Sequence, residues 1–395
     1  MKMPIYFDCH ATTPVDPRVM EAMLPYFTQN FGNPASTSHS HGWQAEAAIT
    51  KARAQVAALI GAREKEIIFT SGATESNNIA LFGAIGKVNG HVPHLITTQV
   101  EHSCVLSISK ELKERGVDVT FLPVNKFGQV EIETLLNSIK PQTALISIIF
   151  ANNEIGTINP IKEIVKVAKE KNKNLLVHVD AAQAVGKLPI DVNDLNIDML
   201  SLSAHKIYGP KGVGALFIRS KEPRVKLDPV VFGSGQERGI RPGTLNVPGI
   251  VGLGKAAEIC QNDMAEEVKR IKRLRDKLEN GIKSQLENVT VNGHPTERLV
   301  MNLNVSFDNA TPDFLLDNCS AIAVSSGSAC SSANMAPSHV LAAIGLTEEL
   351  ARCTLRFGVG RMTTESDVDT AITTVVNAVK KCRQVRFGGK HDSAN

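Results

Sequence analysis

The fold of this chain is constrained most by a regular alternation of short apolar segments with helical segments between residues 67 and 218. Segments such as ALISIIF, residues 144–150, are apolar on both faces, which is typical of parallel strands covered by helices on each side. Because consecutive parallel strands are joined by right-handed crossovers, the alternation predicts a doubly wound α/β sheet. The predicted strands are residues 67–70, 94–98, 118–122, 144–150, 175–179, 198–202 and 213–218.

The pattern changes after Arg219, where a connection rich in proline and glycine leads to a long charged helix predicted over 251–285. Beyond residue 288 the pattern favours antiparallel strands. We therefore predict a large domain at 15–260, built on a mostly parallel sheet with helices on both faces. Residues 1–14 and 261–395 are expected to form a smaller α+β domain.

Composition excludes several classes of protein. A length of 395 residues suits two domains, and 43 basic against 40 acidic residues give a net charge of +3, which argues against direct nucleic-acid binding. The chain has no apolar run long enough to span a membrane and no signal or transit pattern, so we expect a cytoplasmic protein. Its seven cysteines form no C-x-x-C pair, and His39 and His41 lack a third ligand nearby, so we expect reduced thiols and no metal site.

Lys206 lies in LSLSAHKIYGPKGVGALF, residues 200–217, directly after a predicted strand and before a glycine-rich turn. Such a position is at the carboxyl edge of the sheet, where open α/β folds bind ligands. A partly desolvated lysine there is a candidate for Schiff-base chemistry, because its free amine attacks carbonyl groups. Taken alone, the same lysine is also compatible with an exposed loop position.

Asp180 ends another apolar strand, in LLVHVDAAQAVG. A carboxylate at that position is costly to bury unless it meets a cation or hydrogen-bond donors. It could cap the next helix, or it could pair with the protonated pyridine nitrogen of pyridoxal phosphate. Asp180 and Lys206 are predicted at the same edge of the sheet, which fits one cofactor contacting both.

Two further motifs contain groups that could bind a ligand or react with one. In TSGATESNN, from residue 70, the backbone N–H groups of Ala73 and Thr74 begin a helix, and helix N-termini bind phosphate readily. In VSSGSACSSAN, residues 324–334, Cys330 lies among small residues, where an exposed thiolate can react. The other cysteines at 104, 260, 319, 353 and 382 are expected in core or helix positions.

Six motifs in order resemble the pyridoxal-phosphate-dependent cysteine desulfurases of aminotransferase class V, of the iron–sulfur-assembly and nitrogen-fixation type. They are SGATESNN, NNEIGT, HVDAAQAVGKLPID, SLSAHKIYGPKGVG, ERGIRPGT and SSGSAC, and the resemblance runs over residues 6–379. It implies a fold-type I enzyme, a homodimer that converts L-cysteine to L-alanine and leaves a persulfide on Cys330 for a sulfur-acceptor protein, such as an iron–sulfur scaffold or a tRNA thiolation protein. The tail after Arg386 does not resemble a scaffold-docking segment, and Gln236 replaces a common histidine.

The resemblance also implies a role for each matching residue. Lys206 would hold pyridoxal 5'-phosphate covalently and Cys330 would accept sulfur, with transient iron–sulfur ligation as a further role. The remaining roles are His102 stacking on the ring and moving protons, Asp180 at the ring nitrogen, Gln183 at the phenolic oxygen, Ala73, Thr74, Ser203, His205 and the partner subunit's Thr244 at the phosphate, and Asn153 and Arg356 at the substrate carboxylate.

Three alternatives stay open on the sequence. A class V aminotransferase would share Lys206 and Asp180 without needing Cys330. A selenocysteine or cystine lyase would release its product without a protein persulfide. A non-catalytic interaction protein is disfavoured by the intact Lys206 and Asp180.

Overall fold

The computed structural model of the chain describes residues 3–85, 92–221, 224–326 and 338–388. Within these ranges the strands are β1 (Ile5–Tyr6), β2 (Ile67–Thr70), β3 (His94–Thr98), β4 (Asp118–Leu122), β5 (Thr143–Ile149), β6 (Leu176–Asp180), β7 (Met199–Ser203), β8 (Gly214–Ile218), β9 (Val289–Val291), β10 (Asn302–Phe307), β11 (Ile322–Ala323), β12 (Ser325–Ser326) and β13 (Thr354–Gly358). The helices are α1 (Pro17–Met23), α2 (Pro25–Thr28), α3 (Ser40–Leu59), α4 (Ala73–Ile85), α5 (Ser103–Glu114), α6 (Ile132–Ser138), α7 (Ile161–Lys171), α8 (Val247–Lys283), α9 (Pro312–Asp317), α10 (His339–Ala343), α11 (Glu348–Arg352) and α12 (Glu365–Gly388).

The central sheet has the strand order β2, β8, β7, β6, β5, β3, β4. Its pairs are parallel except for β8, which runs antiparallel to both β2 and β7. The predicted mostly parallel sheet is therefore confirmed. The strand β8 reverses because only residues 204–213 connect it to β7, whereas a parallel crossover needs about a dozen residues or more.

Both faces of this sheet are covered, as the alternation of side chains along β8 shows. Phe217 belongs to the same buried cluster as Val56 of α3 and Leu253 of α8. Its neighbour Leu216 belongs to a second cluster with Ile79 of α4. Because adjacent strand residues point to opposite faces, helices pack on each side of the sheet.

A smaller antiparallel sheet has the order β12, β13, β10, β9, and the amino-terminal β1 pairs in parallel with β11. The long helix α8 packs against α3 and also against α12. It starts before the predicted residue 251, because Asn246 caps it by accepting a hydrogen bond from the N–H of Gly249. The predicted boundary at residue 260 falls within α8 and stays a prediction. Among the described residues, no helix combines the length and apolarity needed to cross a bilayer.

Candidate active site

A cavity of about 610 Å³ lies at the carboxyl ends of β2, β6 and β7. Polar residues that leave these ends meet there because parallel strands share one carboxyl edge. The predicted residues that line it are Ala73, Thr74, His102, Asn153, Asp180, Gln183, Ser203, His205, Lys206 and Arg356. Thr244 does not line it, but borders a separate surface hollow with Asn33 and Gln236. Cys330 lies outside the described residues.

Lys206 ends a single helical turn, Ala204–Lys206, that directly follows β7. Its Nζ donates hydrogen bonds to the backbone oxygens of His10 at 2.5 Å and Ala11 at 2.8 Å. The amino-terminal arm, which we define as residues 3–14, therefore forms part of the cavity wall beside the lysine. The amine is held by neutral carbonyl groups at these two contacts, in a position open to a carbonyl ligand.

Two glycines allow the turn before α4 to lie against this lysine loop. A Cβ on Gly214 would be 2.5 Å from the oxygen of Leu202 and 2.7 Å from the Cα of Gly72. Gly72 itself has a φ of +152°, which side-chain-bearing residues rarely adopt. The N-terminus of α4 and Lys206 are therefore close enough to serve one ligand.

Asp180 is buried at the end of β6, and both of its oxygens are engaged. Oδ1 accepts from the N–H of Ala182 at 3.0 Å, so the residue does cap the following turn. Oδ2 accepts from the Asn77 amide at 2.8 Å. A buried carboxylate held by two donors keeps a fixed position from which it can meet a cation in the cavity.

His102 caps α5, and its Nδ1 accepts the backbone N–H of Cys104 at 3.2 Å. The ring proton must therefore be on Nε2. Burial, with a smaller contribution from Lys206, lowers the pKa of His102, so the ring is neutral near pH 7. The Cys104 thiol lies 3.0 Å from Nδ1, and burial raises its pKa to about 11.

The part of the cavity at the start of α4 suits an anion. The N–H groups of Ala73 and Thr74 begin α4, and Ser203 and His205 line the same wall. Burial lowers the pKa of His205 to about 4, with Lys206 as a further cause, so this imidazole is neutral. Glu75 also lines the cavity, but Arg241 pairs with it at 3.0 Å and compensates its charge.

Arg356 of β13 provides a buried guanidinium at the edge of the cavity. It donates to the backbone oxygen of Asn153 at 3.0 Å, to Asp8 Oδ1 at 2.7 Å and to Ser325 Oγ at 3.0 Å. Planar guanidinium groups suit carboxylate ligands, so this side of the cavity can orient an acid. Asn153 contacts the arginine through its backbone.

Sequence reasoning did not assign roles to three residues of the site, namely Asn77, Asp8 and His10. Asn77 lies in the SGATESNN motif and contacts Asp180. Asp8 and His10 lie in the arm, and they contact Arg356 and Gln183. Residues 1–14 were predicted only as part of the smaller domain, so the polar residues of the arm carried no signal of these contacts.

Comparisons with known proteins agree with this geometry. Residues 5–370 match the family described as aminotransferase class-V. The chain is 51% identical over 383 residues to a cysteine desulfurase IscS of Rickettsia bellii, covering 97% of this chain and 93% of that protein. A solved structure described as a NifS-like protein has a TM-score of 0.89 and 38% identity, covering 96% of this chain and 100% of the other. Another, described as SspA in complex with cysteine, has a TM-score of 0.81 and 41% identity, covering 90% of this chain and 98% of the other.

Proposed function

This chain belongs to the aminotransferase class-V family, a family of pyridoxal-phosphate enzymes, and on that premise we propose that it is a cysteine desulfurase. One observation carries the proposal: a single cavity combines an amine, a buried carboxylate, a helix N-terminus and a guanidinium. Each suits a different part of the cofactor or of an amino-acid substrate. The relative from Rickettsia bellii named a cysteine desulfurase supports the choice of reaction.

The residues present fit pyridoxal phosphate. Lys206 would hold its carbonyl carbon, Asp180 would face the ring nitrogen, and Gln183 the phenolic oxygen. The start of α4, with Thr74 and His205, would hold the phosphate. When bound, the cofactor supplies an electron-withdrawing ring that stabilises negative charge on the substrate Cα.

The protein's own groups then control binding and proton movement. Arg356 would hold the substrate carboxylate by exchanging part of its contact with Asp8. With the cofactor bound, the amine of Lys206 would be the base that takes the Cα proton of the substrate. His102 is neutral with its single ring proton on Nε2, so it can donate a hydrogen bond into the cavity. Because little of it is imidazolium near pH 7, it is a weak general acid there.

The thiolate of Cys330 would attack the substrate sulfur. The carbon–sulfur bond breaks and its electron pair stays on the carbon skeleton, which takes up a proton and leaves as L-alanine. The sulfur remains on Cys330 as a persulfide. Cys330 follows Ser326, the last residue of β12, by four positions in the sequence, and Ser325 of that strand pairs with Arg356.

The proposal extends to partners. A homodimer would bring the partner subunit's Thr244 to the phosphate, which is supported by the position of Thr244 away from the cavity of its own chain. The exposed aromatic side chains of Phe31, Trp43 and Phe232 support an interface. A sulfur-acceptor protein, such as an iron–sulfur scaffold, would take the persulfide in the cytoplasm, with Cys330 as a transient iron–sulfur ligand.

The test is to incubate the cofactor-loaded protein with L-cysteine and no keto acid, then measure alanine and the mass of the Cys330 peptide. A desulfurase forms alanine and one added sulfur on that peptide. An aminotransferase would need a keto acid, and a lyase would release sulfur without the protein persulfide. A protein that shows no cofactor absorbance band would be a non-catalytic member of the family.

A further inference from the structure

His10 occupies the centre of a chain of buried side-chain hydrogen bonds that leads to Gln183 in the cavity. Arg298 donates to Asn302 Oδ1 at 2.9 Å, and Asn302 Nδ2 lies 3.1 Å from His10 Nε2. His10 Nδ1 lies 3.2 Å from Gln183 Oε1. Three segments distant in the sequence, the arm, β10 and the turn after β6, are joined by these contacts.

The direction of each bond in this chain is fixed by groups that can only donate or only accept. Arginine has no acceptor, so the Asn302 atom facing Arg298 is its oxygen. Asn302 Nδ2 also donates to the backbone oxygen of Glu154 at 2.9 Å, which fixes the amide a second time. His10 Nε2 must therefore accept from Asn302, and the ring proton must be on Nδ1.

The same reasoning fixes the amide of Gln183. Because the backbone oxygen of His10 can only accept, the Gln183 atom facing it is Nε2, and Oε1 then accepts from His10 Nδ1 and from Lys187 Nζ, the latter at 2.9 Å. Its Nε2 donates one proton to the backbone oxygen of His10 at 2.9 Å. The second amide proton is left for a ligand in the cavity that Gln183 lines.

His10 must stay neutral for this arrangement to hold. A proton on Nε2 would face the N–H group of Asn302, and burial lowers the pKa of His10 well below 6.5. The cations Arg356, Lys187 and Lys206 lower it further, while the Gln183 bond opposes them. The hydrogen-bond direction is therefore constant over the pH range in which the enzyme would work.

We propose that His10 is a positioning residue that orients the Gln183 amide so that one N–H is presented to the phenolic oxygen of the cofactor. The inference rests on the proposed function, since it is directed at pyridoxal phosphate. This role would make the arm and β10 part of what determines the affinity for the cofactor and the absorbance of the bound cofactor.

The experiment compares parent protein with His10→Phe, which keeps a ring without hydrogen bonds, and His10→Asn, whose amide can still donate near the Nδ1 position. Apoprotein is titrated with pyridoxal phosphate, and the absorbance band of the loaded protein is titrated with pH. For His10→Phe we expect roughly five- to tenfold weaker binding, the size expected for one lost hydrogen bond, and a shifted absorbance midpoint. His10→Asn should restore most of both.

Asn304→Ala is the matched control, because Asn304 lies on β10 and donates to the same Glu154 oxygen without contacting His10. It should lower the apoprotein melting temperature and leave the absorbance midpoint unchanged. Should His10→Phe behave in the same way as this control, with parent-like affinity and midpoint, the positioning role is wrong and His10 is structural. Should the parent itself bind no pyridoxal phosphate, the proposed function falls and this role with it.

Discussion

Replacing Asn77 tests whether the buried carboxylate of Asp180 depends on its side-chain donor. Asn77→Ala removes the 2.8 Å bond to Asp180 Oδ2 and leaves Oδ1 bonded to the N–H of Ala182. Asp180 is 3% exposed, so water has little access to the freed oxygen. We expect the carboxylate to rotate and the ring nitrogen of a bound cofactor to lose its partner.

The size of the effect follows from the bond that is lost. A hydrogen bond to a charged group contributes about 1.5 to 3 kcal/mol, and each 1.4 kcal/mol changes a rate about tenfold. Asn77→Ala should therefore lower kcat/KM for L-cysteine by about 10- to 100-fold. Asp180→Asn sets the upper limit, because loss of an orienting carboxylate can cost about ten-thousand-fold.

The assay is alanine formation from L-cysteine, accompanied by a pH titration of the cofactor absorbance band. Asn78→Ala is the matched control: this neighbour is half-buried, and its amide donates to the backbone oxygen of Thr74 rather than to Asp180. The control should keep parent kinetics and a parent absorbance midpoint. If Asn77→Ala stays within twofold of the parent and its midpoint does not move, the argument that Asp180 needs this donor is refuted.

Three further outcomes are expected. Lys206→Ala should lose turnover and the absorbance band of the covalently held cofactor, checked by spectroscopy and alanine assay; an active variant would contradict the assignment. Cys330→Ala should bind cofactor and L-cysteine but release almost no alanine in steady state, whereas Cys353→Ala, whose buried thiol donates to a backbone oxygen, should stay within a few-fold. His178→Gln should reduce the loss of unfolding free energy at acid pH. Burial lowers the pKa of His178 to about 4, so in the parent the unfolded chain takes up this proton at a higher pH than the folded chain. The stability that His178 contributes above about pH 6.5 is therefore lost as the pH falls toward 4. Urea unfolding at pH 7 and pH 5 measures this loss. The same drop in unfolding free energy between the two pH values for parent and variant would contradict it.

Local pattern was enough to predict the central strands and the residues that follow them. The predicted strands at 67–70, 94–98 and 118–122 coincide with β2, β3 and β4, because short segments rich in β-branched and apolar residues favour strands. Polar residues such as Asp180 and Lys206 then stand out at strand ends. Their meeting in one cavity follows from the shared carboxyl edge of parallel strands.

Contacts between distant segments were not encoded in any local pattern. His10 and Lys206 are 196 positions apart, and Asp8 and Arg356 are 348 apart, yet both pairs form bonds in the cavity wall. These hydrogen bonds depend on the position of the arm, which is fixed by the pairing of β1 with β11. Such pairing leaves no periodic signal in the sequence of either segment alone. The sequence by itself therefore determined which chemical groups the sheet edge presents, whereas the tertiary structure decided which neighbours hold those groups in their orientation and charge state.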